Sequence, residues 1–242
     1  MQEIFDLKSI IMQGEKRKDF RLYHAISEIL AEDLEESFLI YKKKLQKALN
    51  LNGKDGFLPD LLKKQGIETR EVNIFEADLK EISDKFSDKF ELILAPLFLH
   101  KTNNIKGILK DIKTLLLSGG MFVGTFFGLS NLQDLGILLS NEDISICGQP
   151  LQRMLPLVDI KTIGNMLSEA GFQSPVVYSF PVSFEFENLK QALYFLKNSG
   201  EGNVLKIREK SFFSGNVLKK YLEKYKNSIK LEFEICFFSC HL

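Results

Sequence analysis

Apolar residues recur along the chain with two different spacings, and these predict helices that alternate with strands. Over residues 17–34 they fall three or four positions apart with charged residues between them, which is typical of an amphipathic helix. The nearly continuous apolar runs at 90–97 and 121–127 are typical of buried strands in a parallel sheet. Further helices are predicted at 57–65, 104–117, 131–139, 159–170, 189–197 and 212–226, and further strands at 47–51, 70–75, 176–186 and 231–240.

The alternation of strands and helices predicts an α/β fold with a doubly wound, mostly parallel sheet. No repeat, low-complexity stretch or linker interrupts the chain, so a single domain over 1–242 is expected. Gly66 and Gly171 each follow a predicted helix, where a residue with positive φ commonly ends it. Ser118-Gly119-Gly120 is likewise predicted to close the helix at 104–117.

Charge and cysteine content exclude several classes of protein. Lys plus Arg and Asp plus Glu both number 32, so the charge balance gives no reason to expect nucleic acid as a partner. No apolar run reaches the length of a membrane span, and residues 1–20 lack the apolar core of a signal peptide. Three cysteines make a disulfide framework unexpected. The sequence therefore predicts a protein of the reducing cytoplasm.

Short motifs in a fixed order extend over nearly the whole chain. They include Ile4-Phe5-Asp6, residues 30–34 (LAEDL), 92–100 (LILAPLFLH), 116–122 (LLSGGMF), 131–135 (NLQDL), 153–156 (RMLP), 170–172 (AGF), 200–203 (GEGN) and 231–235 (LEFEI). By order and spacing these motifs resemble those of the class I S-adenosylmethionine (SAM) methyltransferase superfamily. The resemblance is strongest to the branch of the complex I assembly factor described as an arginine hydroxylase, which is related to the biotin-pathway malonyl-carrier-protein methyltransferases.

The resemblance implies a Rossmann-like sheet with an antiparallel last strand and SAM as the cofactor. It also divides the single domain into a helical region at 1–36, a cofactor half at 45–130, and cap helices with C-terminal strands at 131–242. The implied function is that of a methyltransferase-family protein that acts on or assembles a protein partner, such as a subunit of respiratory complex I. Two alternatives are an inactive scaffold that does not bind SAM and a methyltransferase for a malonyl carrier protein.

The resemblance places the cofactor loop at Asn50-Leu51-Asn52-Gly53-Lys54-Asp55-Gly56, against the pattern D-L-G-x-G-T-G. It implies that Asn50, Asn52, Gly53 and Gly56 contact the cofactor, although only the last glycine is in register. Glycines in such a loop let the backbone approach the ligand. Lys54 has two interpretations, because its side chain either pairs with the cofactor carboxylate or fills the site. The altered loop predicts weak or absent SAM binding.

The segment between the cofactor loop and residue 90 has room for one βα unit where the family has two. In the preferred alignment, residues 72–78 (VNIFEAD) match the third strand, so that the second strand is missing and Asp78 contacts the cofactor near its adenine. In the alternative alignment this segment is the second strand, and Asn73 or Glu76 stands where the family has a ribose-binding acid.

Two residues after the fourth strand of the family pattern, Leu97 and His100, are further cofactor-site candidates. His100 could contact substrate or act as a base, or it could simply bond locally at a strand end. Cys236, Cys240 and His241 have the chemistry of metal ligands. On a strand, however, residues four apart lie about 13 Å from each other, too far for one Zn²⁺ with bonds of about 2.3 Å. No metal site is predicted.

The C-terminal half keeps more of the family pattern than the cofactor half, particularly between residues 153 and 203. In this fold, segments that follow the later strands cover the open carboxyl edge of the sheet, where substrates bind. One interpretation is that this half recognises a protein partner, with Arg153 and Glu201 as candidate contacts. The other is that the same residues only hold the segment in place.

Overall fold

The computed structural model describes residues 3–41, 45–52, 57–73, 75, 89–208 and 222–242. Its strands are β1 (Lys47–Leu51), β2 (Glu68–Val72), β3 (Phe90–Ala95), β4 (Leu116–Phe127), β5 (Gln173–Phe186) and β6 (Ile229–His241). Its helices are α1 (Leu7–Glu15), α2 (Arg21–Tyr41), α3 (Phe57–Lys64), α4 (Ile105–Leu115), α5 (Gln133–Cys147), α6 (Ile160–Ala170) and α7 (Leu189–Asn198), and Leu99–Lys101 forms a 3₁₀ turn.

One sheet contains six strands in the order β2-β1-β3-β4-β6-β5. The pairs β1–β2, β1–β3 and β3–β4 are parallel. The last strand, β6, runs antiparallel to β4, with registers from Met121↔His241 to Phe127↔Ile235. The predicted α/β sheet with an antiparallel last strand is therefore confirmed.

The position of β2 corrects the preferred alignment of the sequence. β2 lies directly beside β1, on the side away from β3, with Leu51 opposite Val72. In a doubly wound sheet that place belongs to the second strand, which the next βα unit reaches by the shortest crossover. The assignment of residues 72–78 to the third strand is wrong for this reason. Within the described residues no strand lies beyond β2, as expected for a sheet that is one βα unit short.

The described residues form two compact units. Unit A comprises Phe20–Gly128, Val158–Phe180 and Ile235–Leu242. Its core lies between the sheet and the helices α4 and α6, and the Phe122 ring stands at its centre, 5.5 Å from the Phe172 ring and 4.9 Å from the Phe238 ring. Burial of such rings outside water supplies the main favourable contribution to folding.

Unit B comprises the described residues of Met1–Asp19, Leu129–Leu157 and Pro181–Glu234. The Phe195 ring of α7 packs against the rings of Phe184, Phe186 and Phe233 at 5.0 to 6.2 Å. Helix α1 begins at an Asp6 cap, whose carboxylate accepts from the Ser9 N–H. No helix is predicted here from the sequence, although Leu7, Ile10 and Ile11 have helical spacing.

Ser118-Gly119-Gly120 does not end helix α4 but lies inside β4. The register passes from Phe90↔Leu116 to Leu92↔Met121, so β4 carries extra residues in a bulge. Gly119 has φ of 71° and its N–H donates to the Leu242 carbonyl at 2.8 Å. A glycine with positive φ is typical of a bulge as well as of a turn, and only the pairing of the strands distinguishes the two.

Helix α4 offers a first test of the local structure. The Asn104 side chain accepts a hydrogen bond from the Gly107 N–H at 3.0 Å and so caps the helix. Asn104→Ala is expected to lower the free energy of unfolding by about 1 kcal/mol, since alanine leaves that N–H unpaired. Urea denaturation checks the value, with Asn104→Asp as the matched control, because aspartate keeps the cap and should stay near the wild-type stability.

Candidate functional site

The candidate cofactor residues that the structure describes follow the carboxyl ends of parallel strands. Asn50 and Asn52 belong to the end of β1, Asn73 follows β2, and Leu97 and His100 follow β3. Because parallel strands end at one edge, these residues share the carboxyl edge of unit A, where open α/β sheets bind ligands. Gly53, Gly56 and Asp78 lie outside the described residues, as do Lys54 and Glu76.

Asn50 is the most informative residue at this edge. It is 0% exposed, and within the part of the chain that the structure describes neither its Oδ1 nor its Nδ2 atom has a hydrogen-bond partner. A buried unpaired polar group costs about 1–3 kcal/mol, so native proteins rarely keep one without a use. The Asn50 amide, with one acceptor and two donors, is therefore a candidate for binding the polar part of a ligand.

Asn52 keeps the backbone conformation that the family loop obtains from glycine. Its φ is 67°, in the left-handed region, and its N–H donates to the Val72 carbonyl at 2.9 Å. Asparagine enters this region more easily than other residues with a side chain. The replacement of glycine by Asn52 thus preserves the turn after β1, although the buried side chain occupies space that glycine leaves open.

The end of β2 carries an amide where the alternative alignment expects a ribose-binding acid. The Asn73 Oδ1 accepts a hydrogen bond from the Phe75 N–H at 3.2 Å, which closes a turn after the strand. This edge therefore presents the neutral side chains of Asn50 and Asn73 at the ends of adjacent strands. Asn50 differs from the carboxylate of the family pattern, and Asn73 is one of the two candidates, with Glu76, for the position at which dinucleotide-binding folds use an acid.

The two candidates after β3 are both buried and held by neighbours. Leu97 has φ of 47°, and its N–H donates to the Thr125 Oγ1 at 3.1 Å. The His100 ring, 4% exposed, lies 4.4 Å from the Phe127 ring. Packing against Phe127 supports a local structural role for His100, and its action as a base stays a prediction.

Thr125 was missed in the sequence, although a signal existed. It is the polar residue in the apolar run MFVGTFF at 121–127, it is fully buried, and it fixes the backbone of Leu97. A lone hydroxyl in a buried strand needs a partner, and a neighbouring strand end is where one is found. Lys101, which is 5% exposed in the 3₁₀ turn, was also missed, because nothing in the sequence pattern predicts that this lysine is buried.

Cys236 and Cys240 are buried free thiols on β6. Burial raises the pKa of the Cys240 thiol well above its usual value, which favours the unreactive protonated form.

Across the described residues no group of three or more His, Cys, Asp or Glu side chains is arranged to hold a metal ion. Among the same residues, no helix combines the length and apolar character needed to cross a membrane.

Residues of the well-kept C-terminal half make structural contacts inside unit B. The Arg153 guanidinium donates twice to the fully buried Asp143 carboxylate, at 2.8 and 2.7 Å. The Asn203 Nδ2 donates to the Gln152 carbonyl at 2.7 Å. Glu142 accepts from Lys224 and from the Tyr225 hydroxyl, and the bond from Lys224 holds its pKa below the usual value. Partner recognition by this half stays a prediction.

Comparisons with known proteins connect the chain to methyltransferases. No protein-family model matches it. The chain is 28% identical over 205 residues to a Rickettsia prowazekii protein that carries the name of a methyltransferase, covering 76% of this chain and 88% of that protein. It is 30% identical over 173 residues to the mitochondrial arginine-hydroxylase NDUFAF5 of Dictyostelium discoideum, covering 69% of this chain but only 39% of that protein.

Among solved structures, a SAM-dependent methyltransferase from Archaeoglobus fulgidus superposes with a TM-score of 0.48 at 15% identity, over 88% of this chain and 94% of the other.

Proposed function

Because the chain belongs to the class I SAM-dependent methyltransferase superfamily, we propose that it acts on a protein partner and binds SAM at the carboxyl edge of unit A. The observation that carries the proposal is Asn50, whose buried amide at the end of β1 has no hydrogen-bond partner among the described residues. The relative named as an arginine-hydroxylase supports an arginine of the partner as the target. A subunit of respiratory complex I is the partner that we propose.

The residues at this edge fit SAM in kind. The Asn50 amide can both donate to and accept from the polar groups of the cofactor, and the left-handed Asn52 leads the chain into the loop. When bound, SAM supplies an electrophilic methyl group on a sulfonium centre. Asn50, Asn52 and Asn73 would hold it, and the buried Leu97 would shield its apolar part from water.

The same residues predict that the affinity for SAM is low. A hydrogen bond to a charged group contributes about 1.5–3 kcal/mol, compared with about 1 kcal/mol for a neutral pair. Replacing a carboxylate by an amide therefore costs about twofold to thirtyfold in affinity. Asn50 stands where the family pattern has an acid, so the loss applies at that position.

Calorimetric titration tests the proposal directly. We expect the wild-type protein to bind SAM with a dissociation constant above the micromolar range, and Asn52→Gly combined with Lys54→Gly to bind it more tightly. Glycine at both positions allows closer approach of the backbone to the ligand. A submicromolar constant for the wild type would contradict the predicted weakness.

S-adenosylhomocysteine is the matched control ligand, because it lacks the positive sulfonium. Tighter binding of this ligand than of SAM would show that the sulfonium charge opposes binding, which favours the interpretation in which the cationic Lys54 side chain fills the site. If neither ligand binds, even at millimolar concentration, then the scaffold alternative replaces the enzymatic proposal.

The reaction is tested on the partner itself. Complex I subunits from a host strain lacking this gene would be incubated with the protein and SAM and then digested. A mass gain of one methyl group on an arginine-containing peptide would support transfer from SAM. In a parallel incubation supplied with O2 and a two-electron reductant, a gain of one oxygen atom would instead support hydroxylation. An unchanged mass in all peptides under both conditions would contradict an action on this partner. Since Cys236 and Cys240 are free thiols, we further propose a cytoplasmic location.

A further inference from the structure

An open groove of about 550 Å³ lies within unit B. One wall is a single face of α5, formed by residues spaced three or four apart: Gln133, Gly136, Ile137, Ser140 and Asn141. The other lining residues are Leu129 and Asn131, which precede the helix, and Met154, Leu155 and Leu157. The groove therefore combines an apolar surface with a few uncharged polar groups, which is the usual composition of a binding site.

Asn131 marks this groove as a site for a ligand. The residue is 7% exposed, and its Oδ1 is shielded from solvent and has no hydrogen-bond partner among the residues that the structure describes. An amide oxygen only accepts, so the missing partner is an N–H or O–H donor. The adjacent Leu132 has φ of 53°, an unusual conformation for a bulky residue, and its N–H donates to the Glu232 carbonyl at 2.9 Å. The fold thus holds Asn131 in place at a cost in backbone strain.

Gly136 lies where Met154 packs against α5. A Cβ atom at this position would lie 3.1 Å from the Met154 Cγ. Glycine inside a helix costs about 1 kcal/mol relative to alanine. At Gly136 the missing side chain lets Met154 pack closely against α5, and a larger residue would have to displace Met154.

The charge of the lining limits what the groove can bind. None of the described residues that line it is charged, so a guanidinium or carboxylate would lose its hydration without an ion partner there. The groove is for this reason unsuited to the target arginine itself. It fits an uncharged ligand with an apolar body and at least one hydrogen-bond donor.

The exposure of the rim favours a polypeptide over a small molecule. Leu129 and Ile137 are 61% and 53% exposed, so one side of the groove stays open to water. Small-molecule sites bury about 70–90% of their ligand. Ile144, 48% exposed, extends the same face of α5 by another turn beyond the groove. An extended chain could cover this additional apolar surface.

We propose that the groove binds an uncharged, largely apolar stretch of the partner polypeptide, with one of its backbone N–H groups donating to the Asn131 Oδ1. The inference rests on the proposed function in one respect, namely that the partner is a protein. It assigns to α5 and to residues 154–157 the recognition of a segment that does not contain the modified arginine.

The test uses the full chain with methyl-labelled isoleucine and methionine and follows the signals of Ile137 and Met154 by NMR, without SAM. The probe is the capped peptide acetyl-Leu-Ala-Leu-Ala-Leu-amide, together with a series of esters in which one N–H at a time becomes oxygen. We expect one ester to bind about fivefold to tenfold more weakly than the parent peptide, because it lacks the donor to Asn131. In Asn131→Ala that difference should disappear.

Two substitutions at exposed sites keep the test independent of folding. Ile137→Asp places a charge in the groove and is expected to abolish the shift with the neutral peptide and to favour acetyl-Leu-Ala-Arg-Ala-Leu-amide. Ile207→Asp is the matched control, because Ile207 is 80% exposed in the same unit and does not line the groove. It should bind both peptides like the wild type.

Three results would overturn the inference: equal binding of all esters, tighter binding of the arginine peptide to the wild type, or equal affinity for acetyl-leucine amide, which would indicate a small-molecule site. Peptide binding without SAM binding would support the proposed peptide site and contradict the enzymatic proposal. SAM binding without peptide binding would support SAM binding and contradict the proposed peptide site.

Discussion

Arg153→Ala is expected to lower the free energy of unfolding by about 3–5 kcal/mol, the usual cost of breaking a buried ion pair from one side. The Arg153 side chain is 12% exposed and the Asp143 side chain 0%, and two hydrogen bonds join them. Alanine would leave the Asp143 carboxylate buried and unpaired by that guanidinium, and a buried charge of this kind is poorly tolerated. Denaturation in urea, followed by circular dichroism, measures the change.

Two further variants separate the charge from the geometry. Arg153→Lys keeps a cation but cannot form the two-pronged contact, so an intermediate loss is expected. The double variant Arg153→Met with Asp143→Leu should be far less destabilised than Arg153→Ala, because an apolar pair leaves no buried charge. A loss below about 1 kcal/mol for Arg153→Ala would show that the pair contributes little. The expected loss makes Arg153→Ala unsuitable for testing partner recognition, since an unfolded protein binds nothing.

The central strands of unit A could be predicted from the sequence, because a strand that is buried on both faces is a nearly continuous apolar run. The apolar runs at 90–97 and 121–127 correspond to β3 and the greater part of β4. The order of the strands could not be read from such runs. β2 has the burial pattern of an edge strand, with Glu68 and Glu71 exposed, and its sequence does not say which neighbour it pairs with. The pairing with β1 then decided the alignment.

The candidate site was predictable only where a residue stands in a recognisable motif. Asn50 and Asn52 were identified by their register in the loop, and the structure brings them to the expected edge. Neither the Asn50 amide nor the Asn131 Oδ1 has a hydrogen-bond partner in the described part of the chain, and this depends on which atoms surround each side chain. Hydrogen-bond satisfaction is a property of tertiary packing, so no spacing in the sequence reports it.

The groove of unit B could not be predicted from the sequence either. The face of α5 with Gln133, Gly136 and Ile137 has helical spacing, but its mixture of polar and apolar residues resembles an ordinary exposed helix surface. Its significance comes from Met154 opposite Gly136, a contact between residues in different segments. Local patterns predict elements, whereas a concave surface needs two elements to be placed together.

Asn50→Val is expected to change stability and ligand binding in opposite directions. Valine is apolar and suits a strand. It replaces an amide that is fully buried and has no hydrogen-bond partner among the described residues. The free energy of unfolding should therefore rise by about 1–3 kcal/mol. The same change removes the donors and acceptor proposed to contact SAM, and the affinity should fall about tenfold or more. Few substitutions in a core stabilise it, which makes the sign itself informative.

The measurements are urea denaturation of the free protein and calorimetric titration with SAM. Asn50→Asp is the matched control, since it has the same shape and carries the carboxylate of the family pattern. Burial without a partner should raise the pKa of that carboxyl, so Asn50→Asp should lose stability as the pH rises above the unfolded pKa of about 4. Bound SAM should restore part of this loss, because a ligand that binds only the folded state stabilises it.

A fall in stability for Asn50→Val would contradict the proposal, because it would mean that the amide holds the fold together rather than waiting for a ligand. Stabilisation with unchanged SAM affinity would be equally decisive, since it would place the cofactor away from the end of β1. Only the combination of a more stable fold and weaker binding identifies Asn50 as a group kept at the expense of stability for its use in binding.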